Sequence, residues 1–370
     1  MRIGFDTSPL TARRSGIGNY AVNLLREIVP LLGDDDRISG LSVGRTAPDY
    51  DGLALTLESR HIPIPARVMY RIWGTLKWPT VDGLIGDVDV YHATNFFLPP
   101  VRNARRVVSI PDASFAVVPE LCSPKIVGPF SASVGRFARE ADVVLTISEA
   151  SKRDIVEQFG ADEEKVRVTY PGPGVILNQV QREDAQESLA AKFGFDGPYV
   201  LFVSTLEPRK NIPGLVNAFD RVAKKLPHSL VLAGQLGWNT GPIKDAINSA
   251  KHSDRIQQLG FVCDHDLALL YGAADVFVFP SFYEGFGLPV LEAMRAGCPV
   301  ITSNNSALPE VAGDAAAYVD AHDVEALVET MVRVLSDETE RAAMADRGRV
   351  QAAQFTWRDC AEATLAAYRS

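Results

Sequence analysis

Residues 274–297 read "ADVFVFPSFYEGFGLPVLEAMRAG". The apolar run Val276–Phe279 stops at Pro280, and a glycine-rich turn, Glu284–Gly287, leads into a segment with Pro289 near its start. A short run of β-branched and aromatic residues without polar alternation reads as a strand covered on both faces. Proline is tolerated in the first turn of a helix, where its missing N–H costs little. Strand, glycine turn and helix in that order form the repeating unit of a parallel α/β sheet. Two carboxylates bracket the turn. Gly285 and Gly287 let the backbone approach a ligand, with Phe286 between them, and the amides of Gly287 and Leu288 would face an anion. Glu292 falls about one turn, roughly 5 Å, along the helix from its start. A favourable charge near a helix N-terminus accounts for one glutamate but not for both. A ligand ordered diol, diphosphate, sugar accounts for the pair, with Glu292 at the diol and Glu284 at the sugar: a nucleotide sugar.

The same unit recurs on either side. "RIGFD" (2–6), "VDVYHAT" (88–94), "RRVVSIPD" (105–112) and "ADVVLTIS" (141–148) read as strands of a first series. "PYVLFVST" (198–205), "HSLVLAG" (228–234), "RIQQLGFV" (255–262), "CPVITSN" (298–304) and "AAAYVD" (315–320) form a second. Between strands lie helical patterns such as Ile17, Tyr20, Leu24, Leu25 and Ile28. The expected fold is α/β: two Rossmann-like, doubly wound parallel-sheet domains facing across a cleft. The first would span 1–178 and the second 198–350, with a break between 174 and 197. The helical segment 351–370 would pack back on the first domain. Ligands of open parallel sheets sit beyond the carboxyl ends of the strands, so the cleft is the expected site.

Composition narrows the class. The chain has 370 residues, and the net charge of −9 argues against a general nucleic-acid binder, which needs a basic face. Cys122, Cys263, Cys298 and Cys360 contain no Cys-x-x-Cys pair and read as buried thiols of a reducing compartment. No apolar run reaches the ~18 residues of a membrane span, and "MRIGFD" reads as a strand rather than a signal peptide. Basic clusters at Arg13–Arg14, at Arg67, Arg71 and Lys77, and at Arg102, Arg105 and Arg106 read either as solvated loops or as a surface for an anionic acceptor or membrane. Around the second of these, Tyr70, Trp73 and Trp78 read equally as core or as a peripheral membrane contact.

"VLFVSTLEPRKN" (200–211) closes a strand with Arg209 and Lys210. An Arg beside a Lys suits a diphosphate, since the guanidinium forks onto two oxygens and the ammonium is a compact charge. In "SGIGNYA" (15–21), a G-x-G-x-x-A pattern lies ten residues past Asp6, too far from its strand for a dinucleotide turn, so an NAD enzyme ranks below a transferase.

Taken together, "EPRKN", "GFV", the opening stretch, "CPVITSN" and "ALPEVAGDAA" (307–316) resemble the retaining glycosyltransferases of GT-B-fold family 4, in particular its bacterial mannosyltransferase-like members. The resemblance covers nearly the whole chain. It implies that Glu284 and Glu292 form the E-x7-E motif contacting donor sugar and ribose. It implies that Arg209 and Lys210 grip the diphosphate and that backbone near Phe261 and Val262 holds the base. Gly16 and Gly18 match the loop facing the donor phosphates. Where the family usually carries His-Asp, this chain has Pro111-Asp112, which leaves Asp112 as a catalytic candidate and His92, on the preceding strand, as a substrate-binding one. A buried, hydrogen-bonded structural role for His92 stands beside that reading. No histidine cluster or DxD-like pair is apparent, so neither metal nor cofactor is expected.

The activity implied is transfer of a hexose, mannose from GDP-mannose, to a glycan or lipid-linked acceptor, in the cytoplasm or at the inner face of the membrane. A nucleotide-sugar hydrolase or epimerase, and a non-catalytic binding component of a glycan-assembly complex, remain open as alternatives.

Overall fold

The computed structural model describes residues 1–11, 16–50, 57–174 and 182–370. Arg13 and Arg14, the first of the basic clusters, lie outside the described residues. The chain divides into two compact units: Met1–Val117, Pro124–Gly172 and Thr356–Ser370 in one, Val118–Ser123 and Pro173–Phe355 in the other.

The first unit is built on β1 (Arg2–Asp6), β2 (Arg37–Val43), β3 (Glu58–Ile62), β4 (Val90–Ala93), β5 (Arg105–Ser109), β6 (Val143–Thr146) and β7 (Val166–Val168). They form one parallel sheet in the order β3-β2-β1-β4-β5-β6-β7. Side chains alternate across it as the pleat requires. Val90, Val107 and Val143 join one apolar layer with Phe5, Leu24 and Leu25. Their chain neighbours Tyr91, Val108 and Val144 join the opposite layer with Trp73 and Phe137. Both faces are covered, which is why the strands read as continuous apolar runs. The edge strand β3, "ESRHI", carries no such signal, and its residues are exposed or half-buried.

The C-terminal helix Trp357–Arg369 packs on the helix Gly16–Ile28, with the Tyr20 and Trp357 rings 5.9 Å apart, edge to face. It buries Cys360, Leu365 and Tyr368 in the first unit's core. Apolar side chains buried to this degree contribute about 1.5–3 kcal/mol each.

The second unit holds β8 (Tyr199–Val203), β9 (Ser229–Ala233), β10 (Ile256–Gly260), β11 (Val276–Phe279), β12 (Val300–Ser303) and β13 (Ala316–Val319). These too are parallel, ordered β10-β9-β8-β11-β12-β13. The stretch between the two series is not a plain break: Arg182–Phe193 forms a helix there, held to the sheet by the Arg182–Asp275 ion pair at 2.6 Å.

Each sheet has one point where its winding reverses, between β1 and β4 in the first unit and between β8 and β11 in the second. Connections leaving those two strands diverge to opposite sides and open a crevice at their carboxyl ends. Asp6 and Thr94 follow the first pair; Arg209, Lys210 and Glu284 follow the second.

The thiols depart from the sequence reading. Cys298 and Cys360 are buried, but Cys122 is half-buried and Cys263 is exposed. Burial pushes the Cys360 thiol up to about 12. Among the described residues, no helix is long and apolar enough to cross a membrane.

Candidate functional site

Beyond β8 the chain makes a single 3-10 turn, Pro208–Lys210, and enters the helix Ile212–Val222. Pro208 supplies the turn's starting φ. Asn211 closes the turn in the left-handed region, and its side-chain amide donates to the Ala321 carbonyl at 2.7 Å. Beyond β11 the loop is tied to this turn by the Phe282 N–H donating to the Arg209 carbonyl at 2.9 Å.

The two loops bring three charges together. The Lys210 ammonium donates to Glu284 Oε1 at 2.6 Å. The Arg209 guanidinium donates to Glu284 Oε2 at 3.0 Å, to the Tyr283 carbonyl at 2.7 Å and to Glu207 Oε1 at 2.9 Å. Lys210 also stands over the Phe279 ring, 5.0 Å from its centre. Lys210 and Glu284 are 6% and 7% exposed, and Arg209 is half-buried. Burial by itself would raise the Glu284 pKa. The charges of Arg209 and Lys210, with the Lys210 hydrogen bond, outweigh it and hold the carboxyl at about 2. Lys210 is pushed down, chiefly by burial and then by Arg209, against the pull of Glu284. The cluster is therefore a largely desolvated ion network in which two cations, Arg209 and Lys210, are matched by two carboxylates, Glu284 and Glu207.

Glu284 continues into the turn that begins the helix Leu288–Arg295. Gly287, the residue before that helix, sits at φ 109°, and a Cβ there would lie 2.8 Å from the Leu308 side chain. Only glycine meets both demands. Gly285 and Phe286 are buried, and the Phe286 ring packs 5.5 Å from that of Phe355. The Phe286 side chain thus belongs to the core and does not present itself to a ligand; the sequence reading did not distinguish it from its glycine neighbours. Leu288 is half-buried. Glu292 is 6% exposed, and its Oε2 accepts from the Tyr271 hydroxyl at 3.1 Å.

Phe261 and Val262 follow β10, two strands from β8. At ~4.8 Å per strand this puts them roughly 10 Å along the sheet edge from the Arg209–Lys210 turn, the reach of a nucleoside from its diphosphate. Phe261 is 73% exposed, an aromatic face that no local packing accounts for.

The remaining candidates belong to the first unit. Gly16 opens the helix Gly16–Ile28 and is exposed; Gly18, two residues in, is buried. Asp112 is half-buried beyond β5, where its Oδ1 accepts from the Ser114 N–H at 2.9 Å at the start of the helix Ser114–Val117. His92 corrects the expectation of a substrate contact. It is fully buried, its Nδ1 lies 2.7 Å from the Tyr368 hydroxyl and its Nε2 2.7 Å from the Ser109 hydroxyl, and burial lowers its pKa to about 3. Both ring nitrogens are used inside the fold, one by the C-terminal helix, so nothing of the imidazole is left to reach a ligand. Two residues escaped the sequence reading altogether: Tyr271, and Gly174, where a Cβ would lie 2.6 Å from Glu292 Oε1.

This arrangement invites comparison with known proteins. Residues 185–351 match the family described as glycosyl transferases group 1. Over 400 aligned residues, covering all of both chains, the protein is 30% identical to the O-antigen chain mannosyltransferase B of Escherichia coli. It is 32% identical to the MMP alpha-(1->4)-mannosyltransferase of Mycolicibacterium hassiacum across 63% of this chain and 55% of that one. Among solved structures, Anabaena Alr3699/HepE in complex with UDP and glucose superposes with a TM-score of 0.73 at 19% identity, covering 99% of this chain and 98% of that one. The fold is thus GT-B, built from two Rossmann-like units. The chain belongs to the glycosyl transferases group 1 family, and its enzymatic type is hexosyl transfer.

Proposed function

We propose that this protein transfers mannose from GDP-mannose to a hydroxyl of a glycan or lipid-linked acceptor, with retention of anomeric configuration and without a metal ion. The observation that carries the reading is the largely buried Arg209–Lys210–Glu284 cluster at the β8/β11 switch point, with Glu292 on the helix that follows. In the unliganded cluster Arg209 and Lys210 are held by Glu284 and Glu207, carboxylates that a diphosphate can replace as their partner. When a diphosphate enters, Arg209 and Lys210 turn toward it, and Glu284 oxygens become acceptors for hydroxyls of the sugar. In the unliganded cluster Arg209 and Lys210 hold the Glu284 carboxyl at about 2, so it enters the reaction as a carboxylate, a hydrogen-bond acceptor and not a proton donor.

In the reaction, the bond from the anomeric carbon to the diphosphate oxygen breaks, and the acceptor oxygen bonds to that carbon from the same face. The acceptor proton passes to the departing phosphate oxygen. Arg209, Lys210 and the amides at the start of the Leu288–Arg295 helix stabilise the charge that develops there. No protein base is required at position 111 or 112, which is consistent with proline at 111 and with Asp112 acting as a local cap. Glu292 takes the ribose diol, and Phe261 with Val262 takes the base.

Mannose and a polysaccharide product are favoured by the relatives named as mannosyltransferases. Cytoplasmic action at the inner membrane face is favoured by Leu76 and Trp78, 68% and 67% exposed beside the exposed Arg67, Arg71 and Lys77, although Trp73 is core.

A thermal-shift panel of nucleotide sugars tests the donor. GDP-mannose should raise the melting temperature most, because a ligand bound only by the folded state stabilises it in proportion to its saturation. A larger shift with UDP-glucose, or none with any nucleotide sugar, overturns the assignment. Turnover undiminished by EDTA and an α-linked product by NMR are the accompanying expectations for the metal and for the stereochemistry. Sugar release without any acceptor would identify a hydrolase instead.

A further inference from the structure

Glu292 is aimed by residues outside its own helix. Tyr271 lies on the helix Asp264–Ala273, which precedes β11, and is fully buried. Its hydroxyl donates to Glu292 Oε2 at 3.1 Å. Burial raises its pKa well above that of an exposed phenol, so the proton stays on the tyrosine and the bond keeps one polarity. The other carboxylate oxygen, Oε1, meets the backbone at Gly174, so closely that a methyl group at that position would stand 2.6 Å away. A 6%-exposed carboxylate is thus pinned at one oxygen by a phenol and bounded at the other by a residue without a side chain. Core packing alone does not ask for a hydroxyl at 271, where phenylalanine would fill the space, and among the described residues the only neighbour that requires a glycine at 174 is the Glu292 carboxylate itself.

We propose that Tyr271 is a positioning residue for the donor nucleotide, setting with Gly174 the plane of the Glu292 carboxylate and hence the enzyme's preference for a ribose over a deoxyribose. The inference rests on the reading of Glu292 as the ribose-diol acceptor and names the device that makes it selective. A rotating carboxylate would share its hydrogen bonds among orientations. One held from behind presents a fixed pair of acceptor directions to the diol, which is the advantage of locking a first contact through its neighbours.

The test is calorimetric titration of the full chain with GDP and 2′-deoxy-GDP, and with UDP and 2′-deoxy-UDP, taking the base that binds more tightly. Hydrogen bonds to a charged group carry a discrimination of roughly 10- to 100-fold, which the wild type should show in favour of the ribonucleotide. Tyr271→Phe should cut that ratio to about a third or less by weakening the ribonucleotide and leaving the deoxynucleotide nearly unchanged. Gly174→Ala, which leaves the tyrosine in place, should reduce the ratio in the same sense and serves if Tyr271→Phe proves poorly folded. A structural role alone would lower the melting temperature without moving the ratio. If both variants keep the wild-type ratio while Glu292→Gln loses it, the positioning role is overturned and the ribose reading survives. If wild type and Glu292→Gln discriminate equally, the ribose reading itself fails, and the inference with it.

Discussion

The two sheets reverse their winding at equivalent points, yet the residues gathered there differ in kind. At the β8/β11 crevice the polar groups are ions: half-buried Arg209 and buried Lys210, each bonded to the buried Glu284, at 3.0 and 2.6 Å. At the β1/β4 crevice they are mostly neutral. Asp6 takes hydrogen bonds from the Ser8 amide at 2.9 Å and the Thr94 hydroxyl at 3.4 Å, and burial raises its pKa. His92, on β4, is neutral and sealed between Tyr368 and Ser109. One fold, used twice, has been given opposite electrostatics. Paired cations beside a helix start can be redirected onto a diphosphate; a crevice of hydroxyls, amides and a desolvated acid offers hydrogen bonds without a comparable charge. The comparison predicts that perturbing the first unit's buried polar groups should register as stability, and perturbing the second unit's as turnover.

The largest expected effect concerns His92. Its folded pKa, about 3, lies below the 6.5 of a free histidine, so the unfolded chain binds the extra proton. Stability from the neutral ring is fully present above pH 6.5 and drains away as pH falls toward 3, on the order of 4 kcal/mol over the whole window. His92→Asn should be less stable than wild type at pH 7.5, and the difference should shrink steadily in urea unfolding curves taken down to pH 4. Turnover per folded molecule should be unchanged. A variant that folds normally but has lost acceptor or donor affinity would return His92 to the site and break the comparison.

Lys210→Ala should strike the other crevice. Losing a donor aimed at developing negative charge lowers kcat by roughly 10²–10³-fold. Steady-state kinetics with GDP-mannose, together with GDP titration, separates this from simple misfolding; intact turnover and intact donor binding would remove Lys210 from the machinery. A smaller effect is expected from pH at the same cluster. Glu284 is depressed from 4.5 to about 2, so its contribution is present above pH 4.5 and is lost as pH falls toward 2, about 2–3 kcal/mol for Glu284 alone. The downward push on Lys210 works against this, making the net worth of the triad smaller. Glu284→Gln should flatten the acid limb of stability in that window, as seen by urea unfolding at pH 5 and pH 3, while abolishing transfer.

Much of this was legible in the sequence because parallel strands buried on both faces announce themselves as unbroken apolar runs, and because glycine and proline mark where such a strand hands over to a helix. Arg209, Lys210, Glu284 and Glu292 could be picked out one by one for that reason. Their mutual arrangement could not. That Glu284 satisfies both cations in the unliganded protein depends on two loops, some 75 residues apart in the chain, meeting at a switch point, and strand order is not written in either loop. The strand β3 escaped because an edge strand exposed to solvent loses the apolar signature. Cys263 read as buried because cysteine usually is, and its exposure follows from its place at the end of a helix-capping turn. His92 was ambiguous for a deeper reason: a strand-end histidine is equally apt for catalysis and for bridging, and the partner that decides, Tyr368, lies 276 residues away on the last helix.

The smallest expected effect asks whether the first unit touches the donor at all. Gly16 is exposed at the start of its helix, and a Cβ there would meet nothing within 4 Å. Gly16→Ala should therefore leave stability unchanged or raise it by about 0.5 kcal/mol, since alanine reduces the freedom of the unfolded chain and suits the helix better. Because the unliganded protein has room for the methyl group, any functional loss must come from what arrives later. A several-fold rise in KM for GDP-mannose, with the melting temperature held or raised, is expected if a substrate phosphate approaches that backbone closely, as the glycine pattern suggests. An unchanged KM would instead leave Gly16 as a helix start and nothing more, and would confine recognition of the diphosphate to the charged crevice of the second unit.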